Sequence, residues 1–254
     1  MREIKVEILE NKEIAENIYA LTFSVPSDLA KEVRPGQFVN LSTGEQNLLL
    51  KRPLGVCRKT DSSVTVCYQV KGVGTRALCL RKRGDVLSAL LPLGNGFYLK
   101  PEEKKVALIG GGVGVFPLLS VAEGYQGRAF TSYLGFRNQN AICFLNEFAE
   151  RSRVVLGTDD GSVGEKKNAV QLFLEDYEEG AFDVIFACGP PVMLKALQQA
   201  VKERGVKTPC FVSLEERMGC GIGACLVCVC NLTNGEHARV CKDGPVFSIG
   251  EVNL

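Results

Sequence analysis

The chain has 254 residues, a formal net charge of +1, a single histidine, no tryptophan and eleven cysteines. Balanced charge spread along the chain argues against a polyanion such as nucleic acid as the main partner. One histidine excludes catalysis by histidine relays, so we expect cofactors to carry most of the chemistry.

The N-terminal residues alternate charged and apolar side chains from Arg2 to Glu7, without the apolar core of a signal peptide. We therefore expect a cytoplasmic protein, a compartment in which cysteines seldom pair as disulfides. The apolar run from Val106 to Ala122 is interrupted by several glycines and Pro117. This pattern favours a strand, a turn and a helix, and we expect no transmembrane segment.

Residues 1–99 have the pattern of β structure. Apolar residues alternate with polar or small ones over Ile4–Ile8, Tyr19–Val25 and Val64–Val70, and turn residues such as Pro35-Gly36 separate these runs. Short strands at such spacing predict an antiparallel barrel or sandwich, and we favour the barrel.

The segment Lys51–Gly55 of the predicted barrel has residue types suited to a cofactor. Arg52 offers a forked, permanently charged set of donors for a diphosphate, and Pro53 fixes the chain so that the next backbone groups line a flat ring. The alternative is an ordinary solvated turn at a strand edge.

A second segment, Lys71–Thr75, leads from a strand into a predicted helical turn. Gly72 and Gly74 let backbone N–H groups, together with the Thr75 hydroxyl, surround a phosphate at a helix N-terminus. A glycine hairpin capped by Thr75 explains the same residues equally well.

Residues 100–208 alternate between short apolar strands and helical segments. Strands are predicted at Val106–Ile109, Ala129–Leu134, Val154–Leu156 and Val184–Ala187, and helices near Pro117, at Ala169–Leu174 and at Val192–Glu203. This order predicts a parallel, doubly wound sheet. The loops Gly110–Gly114, Gly135–Asn138, Thr158–Gly161 and Cys188–Pro191 would then meet at one edge, where such sheets bind nucleotides.

The last segment, residues 209–254, contains the most specific motif. Cys220, Cys225 and Cys228, with Cys241 as fourth ligand, reproduce the plant-type spacing of cysteines that hold a 2Fe-2S cluster. Interleaved glycines permit tight turns around such a cluster and let N–H groups approach the sulfurs. Cys225, Cys228, His237 and Cys241 also resemble a zinc site, although that reading leaves Cys220 unused.

As a set, these motifs identify a resemblance to the ferredoxin-NADP reductase superfamily over residues 1 to about 208. With the cysteine motif, the whole chain resembles the electron-transfer subunits of NAD-dependent dihydroorotate dehydrogenases. The resemblance implies an FAD-binding barrel at 1–99, an NAD-binding α/β domain at 100–208 and a 2Fe-2S domain at 209–254.

The resemblance also implies roles for individual residues. Those expected to bind FAD are Arg52, Pro53, Leu54, Gly55, Gly72, Gly74 and Thr75; those expected to bind NAD are Gly111, Gly112, Gly114, Cys188, Gly189 and Pro190. Two positions depart from the pattern. Gly55 replaces a serine or threonine expected to hydrogen-bond flavin N5, and Val115-Phe116 replaces the usual residues near the nicotinamide. The residues leave the choice of cofactor open, because Arg137 suits the 2′-phosphate of NADP, and NAD follows from the resemblance alone.

The implied function is an oxidoreductase subunit for pyrimidine biosynthesis that passes electrons between cluster, FAD and NAD. Its expected partner is an FMN-containing catalytic subunit that oxidises dihydroorotate, in a heterotetramer. Two alternatives remain: a reductase module for sulfite reduction, a hydrogenase or ferredoxin, and a zinc-containing redox sensor or scaffold.

Overall fold

A computed structural model describes all residues, 1–254, and its first part is a closed barrel. The barrel strands are β1 (Arg2–Ala15), β2 (Ile18–Ser24), β3 (Phe38–Leu41), β4 (Arg52–Lys59), β5 (Ser63–Gln69) and β6 (Val86–Leu93). They close in the order β1-β2-β5-β4-β3-β6, and every pair is antiparallel. The helices α1 (Ser27–Glu32) and α2 (Val73–Cys79) connect them. The predicted barrel is confirmed.

Side chains of β3 point alternately into the barrel core and outward to the rest of the chain. Val39 and Leu41 belong to the barrel core, whereas Phe38 packs with residues of the sheet and the C-terminal segment. Asn40, between them, is also buried. Successive strand residues point to opposite faces, so β3 has one face inside the barrel and one against the C-terminal segment.

The second part is a six-stranded sheet of order β14-β11-β10-β7-β8-β9. The remaining strands of the chain are β7 (Lys105–Gly111), β8 (Ala129–Phe136), β9 (Ser152–Thr158), β10 (Val184–Cys188), β11 (Cys210–Ser213), β12 (Val229–Asn231), β13 (His237–Arg239) and β14 (Val246–Ser248). The central strands pair in parallel, and β14 joins antiparallel to β11. β12 and β13 form a separate hairpin.

Helices cover both faces of this sheet, which confirms the doubly wound prediction. They are α3 (Val115–Gly124), α4 (Leu145–Ala149), α5 (Ala169–Asp176) and α6 (Pro191–Glu203). On β7, Val106 and Leu108 pack in one core with α3 and α4, and Ala107 and Ile109 in another with α5 and α6. A strand buried on both faces is the usual pattern of a parallel sheet.

Two details differ from the expectations. The helix predicted near Pro117 begins at Val115, because Gly112–Gly114 forms a 3-10 turn that continues directly into it. Pro117 is tolerated at the third position, since N–H groups in a first helical turn have no intrahelical acceptor. The sheet also takes β11 and β14 from residues 209–254. The domain boundaries at 99/100 and 208/209 stay predictions.

Side chains from both parts meet between the barrel and the sheet. The rings of Phe97 and Phe186 lie 4.7 Å apart between centroids. Arg58 of β4 donates to Glu123 of α3 at 2.5 Å, and the Gly36 backbone N–H donates to the Ser120 hydroxyl. The barrel therefore has a defined position against α3 and β10. Among the helices, none is long and apolar enough to cross a membrane.

Candidate cofactor sites

A cavity of about 320 Å³ lies where the barrel, the sheet edge and the C-terminal segment meet. The barrel contributes Phe38, Pro53, Leu54, Gly55, Tyr68, Lys71 and Thr75 to its wall; the sheet part contributes Val113, Phe116, Pro117, Cys188 and Ser213; the C-terminal segment contributes Leu214, Glu215, Glu216, Met218 and Pro245. Four of the residues expected to bind FAD, namely Pro53, Leu54, Gly55 and Thr75, thus share one cavity with Cys188, the only wall residue among those expected to bind NAD. A ligand here would touch all three predicted segments.

Arg52 is held beside the first turn of α2. A Cβ atom on Gly74 would lie 2.0 Å from Arg52 Nε, so only glycine leaves room for the guanidinium. Arg52 Nε is buried and has no hydrogen-bond partner in the protein. A buried donor on a permanent cation calls for an anionic acceptor, because an unpaired charged group costs free energy. This arrangement fits the diphosphate of FAD.

The Thr75 hydroxyl caps its own helix. It accepts hydrogen bonds from the N–H groups of Lys71 and Gly72, at 3.0 and 3.2 Å, and donates to the Gly72 carbonyl. Thr75 therefore caps a helix and not a glycine hairpin; because it also lines the cavity, its role in binding FAD stays a prediction. The next backbone N–H groups, from Val73 to Thr75, have no acceptor within the helix and remain available to a phosphate.

The glycines after β7 serve different purposes. Gly112 has a φ of +53°, and a Cβ atom there would meet nothing within 4 Å, so its backbone is open to a ligand. Cβ atoms on Gly111 and Gly114 would collide with Met193 Sδ at 2.5 Å and the Cys188 carbonyl at 2.3 Å. These two glycines let the turn pack against the loop after β10, whereas Gly112 leaves its backbone open to a ligand; all three stay predicted contacts of NAD.

Cys188 ends β10 and is 2% exposed, beside the Ser213 hydroxyl. Burial raises the pKa of its thiol well above the ordinary value, so the thiol stays protonated near neutral pH. Gly189 follows in close contact with Met193, and Pro190 precedes α6. The three residues expected near the nicotinamide therefore stand at the carboxyl edge of the sheet, next to the cavity.

Glu215 and Met193 are site residues that the sequence analysis missed. Glu215 lines the cavity; the surrounding protein raises the pKa of its carboxyl by desolvation, and nearby Lys71 opposes this. Met193, from the first turn of α6, packs between Gly111 and Gly189. Glu215 lies five residues before the first ligand cysteine, but neither residue belongs to a spacing pattern, and their positions depend on contacts between distant segments.

The cysteine loop, residues 214–245 between β11 and β14, brings the predicted ligand sulfurs together in two pairs. Cys220 and Cys225 lie side by side, as do Cys228 and Cys241. No three side chains among His, Cys, Asp and Glu form a group that could hold a single metal ion. In a 2Fe-2S cluster each iron takes two protein ligands, so two pairs are the arrangement that it needs.

Backbone N–H groups point at these sulfurs. Ile222, Ala224 and Cys225 donate to Cys220 Sγ at 3.3 to 3.4 Å, and Gly223 donates to Cys241 Sγ at 3.1 Å. Burial opposes ionisation of the Cys220 thiol, yet these hydrogen bonds lower the pKa of the thiol to about 6. Such donors favour the thiolate, which is the form that binds metal.

Left-handed residues make this loop possible. Gly221 and Gly223 have φ values of +74° and +83°, and Leu226 adopts +58°. A Cβ atom on Gly219 would approach Cys225 Sγ to 3.2 Å. The interleaved glycines therefore have the conformational and steric roles that the spacing predicted.

Cys230 and His237 lie away from the paired sulfurs. On the β12–β13 hairpin, Cys230 is opposite Ala238 and His237 is opposite Asn231. His237 is exposed and three strand positions from the level of Cys228. Because each strand residue advances the chain by about 3.3 Å, the geometry disfavours the zinc site with His237.

Comparison with known proteins agrees with this arrangement. The family model of the iron-sulfur cluster binding domain of dihydroorotate dehydrogenase B matches residues 215–253. The dihydroorotate dehydrogenase B (NAD(+)) electron transfer subunits of Geobacillus sp. (strain WCH70) and Bacillus mycoides (strain KBAB4) are 41% and 38% identical to this chain, each match covering 100% of both proteins. A solved structure of an NADH-dependent reduced ferredoxin-NADP oxidoreductase aligns with a TM-score of 0.85 and 30% identity, over 98% of this chain and 89% of that one.

The barrel, the nucleotide-binding sheet and the cysteine loop around one cavity define an iron-sulfur flavoprotein reductase of the ferredoxin-NADP reductase type. At full-length identities of about 40%, the chain belongs to the family of dihydroorotate dehydrogenase B (NAD(+)) electron transfer subunits.

Proposed function

We propose that this protein passes electrons between a 2Fe-2S cluster, FAD and NAD, and so couples dihydroorotate oxidation in a partner subunit to NAD reduction. The observation that carries the proposal is the shared cavity, whose wall includes Pro53 of the barrel, the edge residue Cys188 and Met218, two residues before the first ligand cysteine. FAD is the one cofactor of the three that exchanges both hydride with NAD and single electrons with a cluster.

The residues of the chain hold and orient these groups. Arg52 and the free N–H groups of α2 would bind the FAD diphosphate, and Pro53 to Gly55 would line the ring. Gly112 would let NAD approach closely from the sheet edge. No side-chain acid or base is required for hydride transfer, so the contribution of these residues is alignment of the reacting atoms.

The partner follows from the family, since an electron transfer subunit needs a catalytic subunit to supply electrons. We expect an FMN-containing dihydroorotate dehydrogenase subunit, joined in a heterotetramer. Three apolar side chains near the cluster support docking at this point: Ile222, Leu226 and Val227 are 44%, 63% and 55% exposed. Exposed apolar residues grouped on one loop are typical of an interaction surface. A cytoplasmic location stays a prediction.

Analysis of the purified chain tests the cofactors. We expect one FAD, two irons and two acid-labile sulfides per chain, with NADH reducing the flavin. One zinc per chain, with neither labile sulfide nor flavin absorbance, would overturn the proposal in favour of a sensor or scaffold.

Reconstitution tests the partner. Alone, the protein should pass electrons from NADH to small dyes without oxidising dihydroorotate. Mixed with the catalytic subunit of the same source, it should form a stable complex that reduces NAD with dihydroorotate. If NADH-dye activity is present but no complex forms, the protein is a reductase module for another acceptor, such as ferredoxin, sulfite reductase or a hydrogenase.

A further inference from the structure

Asn40 connects the outer face of the barrel to the cysteine loop. Its side chain is 1% exposed, and its Nδ2 donates a hydrogen bond to the Cys220 carbonyl at 3.5 Å. A Cβ atom on Gly221 would lie 2.3 Å from Nδ2. The amide therefore rests directly on the Cys220–Gly221 peptide, at the start of the loop that carries the ligands.

The same strand forms part of the cofactor cavity. Asn40 is directly opposite Pro53 in the β3–β4 pair, and directly opposite residues lie on the same face of a sheet. Pro53 and Phe38, two residues before Asn40, both line the cavity. Asn40 thus lies between the wall of the flavin cavity and a ligand of the cluster.

Packing alone does not explain an asparagine at this position. Asn40 Oδ1 is buried and has no hydrogen-bond partner, which costs free energy, whereas an apolar residue of the same shape would leave no acceptor unpaired. Leucine would fill the space without that cost. The feature that leucine lacks is the N–H donor to Cys220.

We propose that Asn40 is a positioning residue, which fixes the Cys220–Gly221 peptide and thereby the cluster relative to the flavin cavity. The inference rests on the proposed function, because it requires FAD in the cavity and a cluster on the loop. The peptide is followed directly by the N–H group of Ile222 and, two residues further, by that of Ala224, and both donate to Cys220 Sγ. A shift of this peptide therefore moves a ligand and its hydrogen-bond donors together, and such donors set cluster potential and retention.

The experiment compares Asn40→Leu and Asn40→Asp with Asn11→Leu in the full chain. Asn11 is the control, because its Nδ2 also donates to backbone carbonyls, those of Leu78 and Arg81, both at 2.9 Å; unlike Asn40, its Oδ1 also accepts from the Tyr68 hydroxyl, at 3.1 Å. These carbonyls belong to the barrel and its helix, not to the cysteine loop. The measurements are the EPR spectrum and midpoint potential of the cluster, iron release to a chelator, and thermal unfolding.

We expect Asn40→Leu to unfold at the same or a higher temperature, yet to release iron about 10- to 100-fold faster, as for lost outer-shell partners of metal ligands. Its EPR spectrum and cluster potential should also change. Asn40→Asp keeps the shape but adds negative charge, so its cluster potential should fall. Asn11→Leu should lower the unfolding temperature and leave the cluster unchanged.

Unchanged EPR spectrum, potential and iron release in Asn40→Leu would overturn the positioning role, even if stability changed. An unfolded Asn40→Leu with a normal cluster potential in Asn40→Asp would also overturn it. If the unaltered protein holds no FAD or no cluster, the proposed function itself fails, and this outcome is visible before any variant is made.

Discussion

At Gly74 the side chain is a hydrogen atom because the guanidinium of Arg52 occupies the space of a methyl group. Adding a single methyl group at this residue would therefore displace the guanidinium, which lies next to the predicted phosphate site. The effect is local, since the two residues come from neighbouring parts of the barrel, β4 and α2.

We predict that Gly74→Ala weakens FAD binding, because Arg52 must move away from the first turn of α2. Loss of one charge-assisted hydrogen bond, worth about 1.5–3 kcal/mol, corresponds to roughly a 10- to 150-fold weaker affinity. Flavin content after gel filtration and titration with FAD measure it. Gly250→Ala is the control, because a Cβ atom there meets nothing within 4 Å; equal losses in both variants would contradict the prediction.

Gly55 offers the opposite change, a gain of a side chain. The nearest atom to a Cβ at this position is Pro117 Cβ at 4.0 Å, so a serine fits without displacing its neighbours. We predict that Gly55→Ser supplies the hydroxyl that relatives are expected to place at flavin N5. One added hydrogen bond of about 1 kcal/mol would raise the rate of flavin reduction by NADH several-fold. Stopped-flow absorbance measures this rate; an unchanged rate at unchanged FAD content would show that residue 55 does not face N5.

The site residues that could be predicted from the sequence are those that belong to a local spacing pattern. The spacing of Cys220, Cys225 and Cys228 and the glycine turns are visible because neighbours in sequence act together. Met193, Glu215 and Asn40 were missed, because each acquires its role from a segment far along the chain. Thr75 shows a third case, in which the local pattern fitted both a cap and a phosphate site; the hydrogen bonds show the cap, and the phosphate site stays a prediction.

At the scale of elements, the cysteine loop holds four sulfurs in two pairs and leaves Cys230 on the hairpin. We predict that serine at Cys220, Cys225, Cys228 or Cys241 removes or strongly perturbs the cluster, because each sulfur is a ligand. Flavin reduction by NADH should persist. Cys230→Ser is the matched control and should keep the cluster's visible spectrum. If Cys230→Ser loses the visible absorbance of the cluster and Cys228→Ser keeps it, then Cys230 is a ligand and Cys228 is not.

Strands with a continuous apolar run and helices of eight or more residues were predicted at their observed positions, whereas two very short strands were not predicted. The strands β7, β8, β9 and β10 and the helices α5 and α6 lie where the apolar pattern placed them. β11 and β14 have only four and three residues, too few for an alternating pattern to be distinguished from a loop. Their position in the sheet depends on pairing with β10 and with each other, which spacing alone does not encode.

The strands β11 and β14 lie after the proposed domain boundary at 208/209 but belong to the sheet of the preceding domain. We predict that a truncated chain, residues 1–208, aggregates or unfolds at a lower temperature than the full chain, because β10 loses its partner and exposes an edge. Light scattering and thermal unfolding measure this. A soluble 1–208 chain of unchanged stability would show that the first two domains fold independently at that boundary.

At the scale of the whole molecule, the apolar tip of the cysteine loop is the proposed contact with the catalytic subunit. We predict that Leu226→Asp weakens the complex about 30-fold or more, as expected for a central apolar contact worth about 2 kcal/mol. The variant should fold, because Leu226 has a φ of +58°, which aspartate tolerates better than leucine.

Affinity for the catalytic subunit, by calorimetry or surface plasmon resonance, measures this effect. Leu80→Asp is the control, since Leu80 is 71% exposed on the barrel, outside the cysteine loop. NADH-dye activity and the cluster spectrum should be normal in both variants. Equal affinity of the Leu226 and Leu80 variants would place the docking surface elsewhere.

The cysteine loop is bracketed by two strands of one sheet, since Ser213 ends β11 directly opposite Val246, which begins β14. In topological terms, residues 214–245 are one long hairpin loop with both ends fixed about 5 Å apart. A cluster on such a loop cannot swing on a tether as a separately linked domain does. We therefore expect electron transfer within the subunit to be independent of solvent viscosity, so that diffusion governs only the meeting with other molecules.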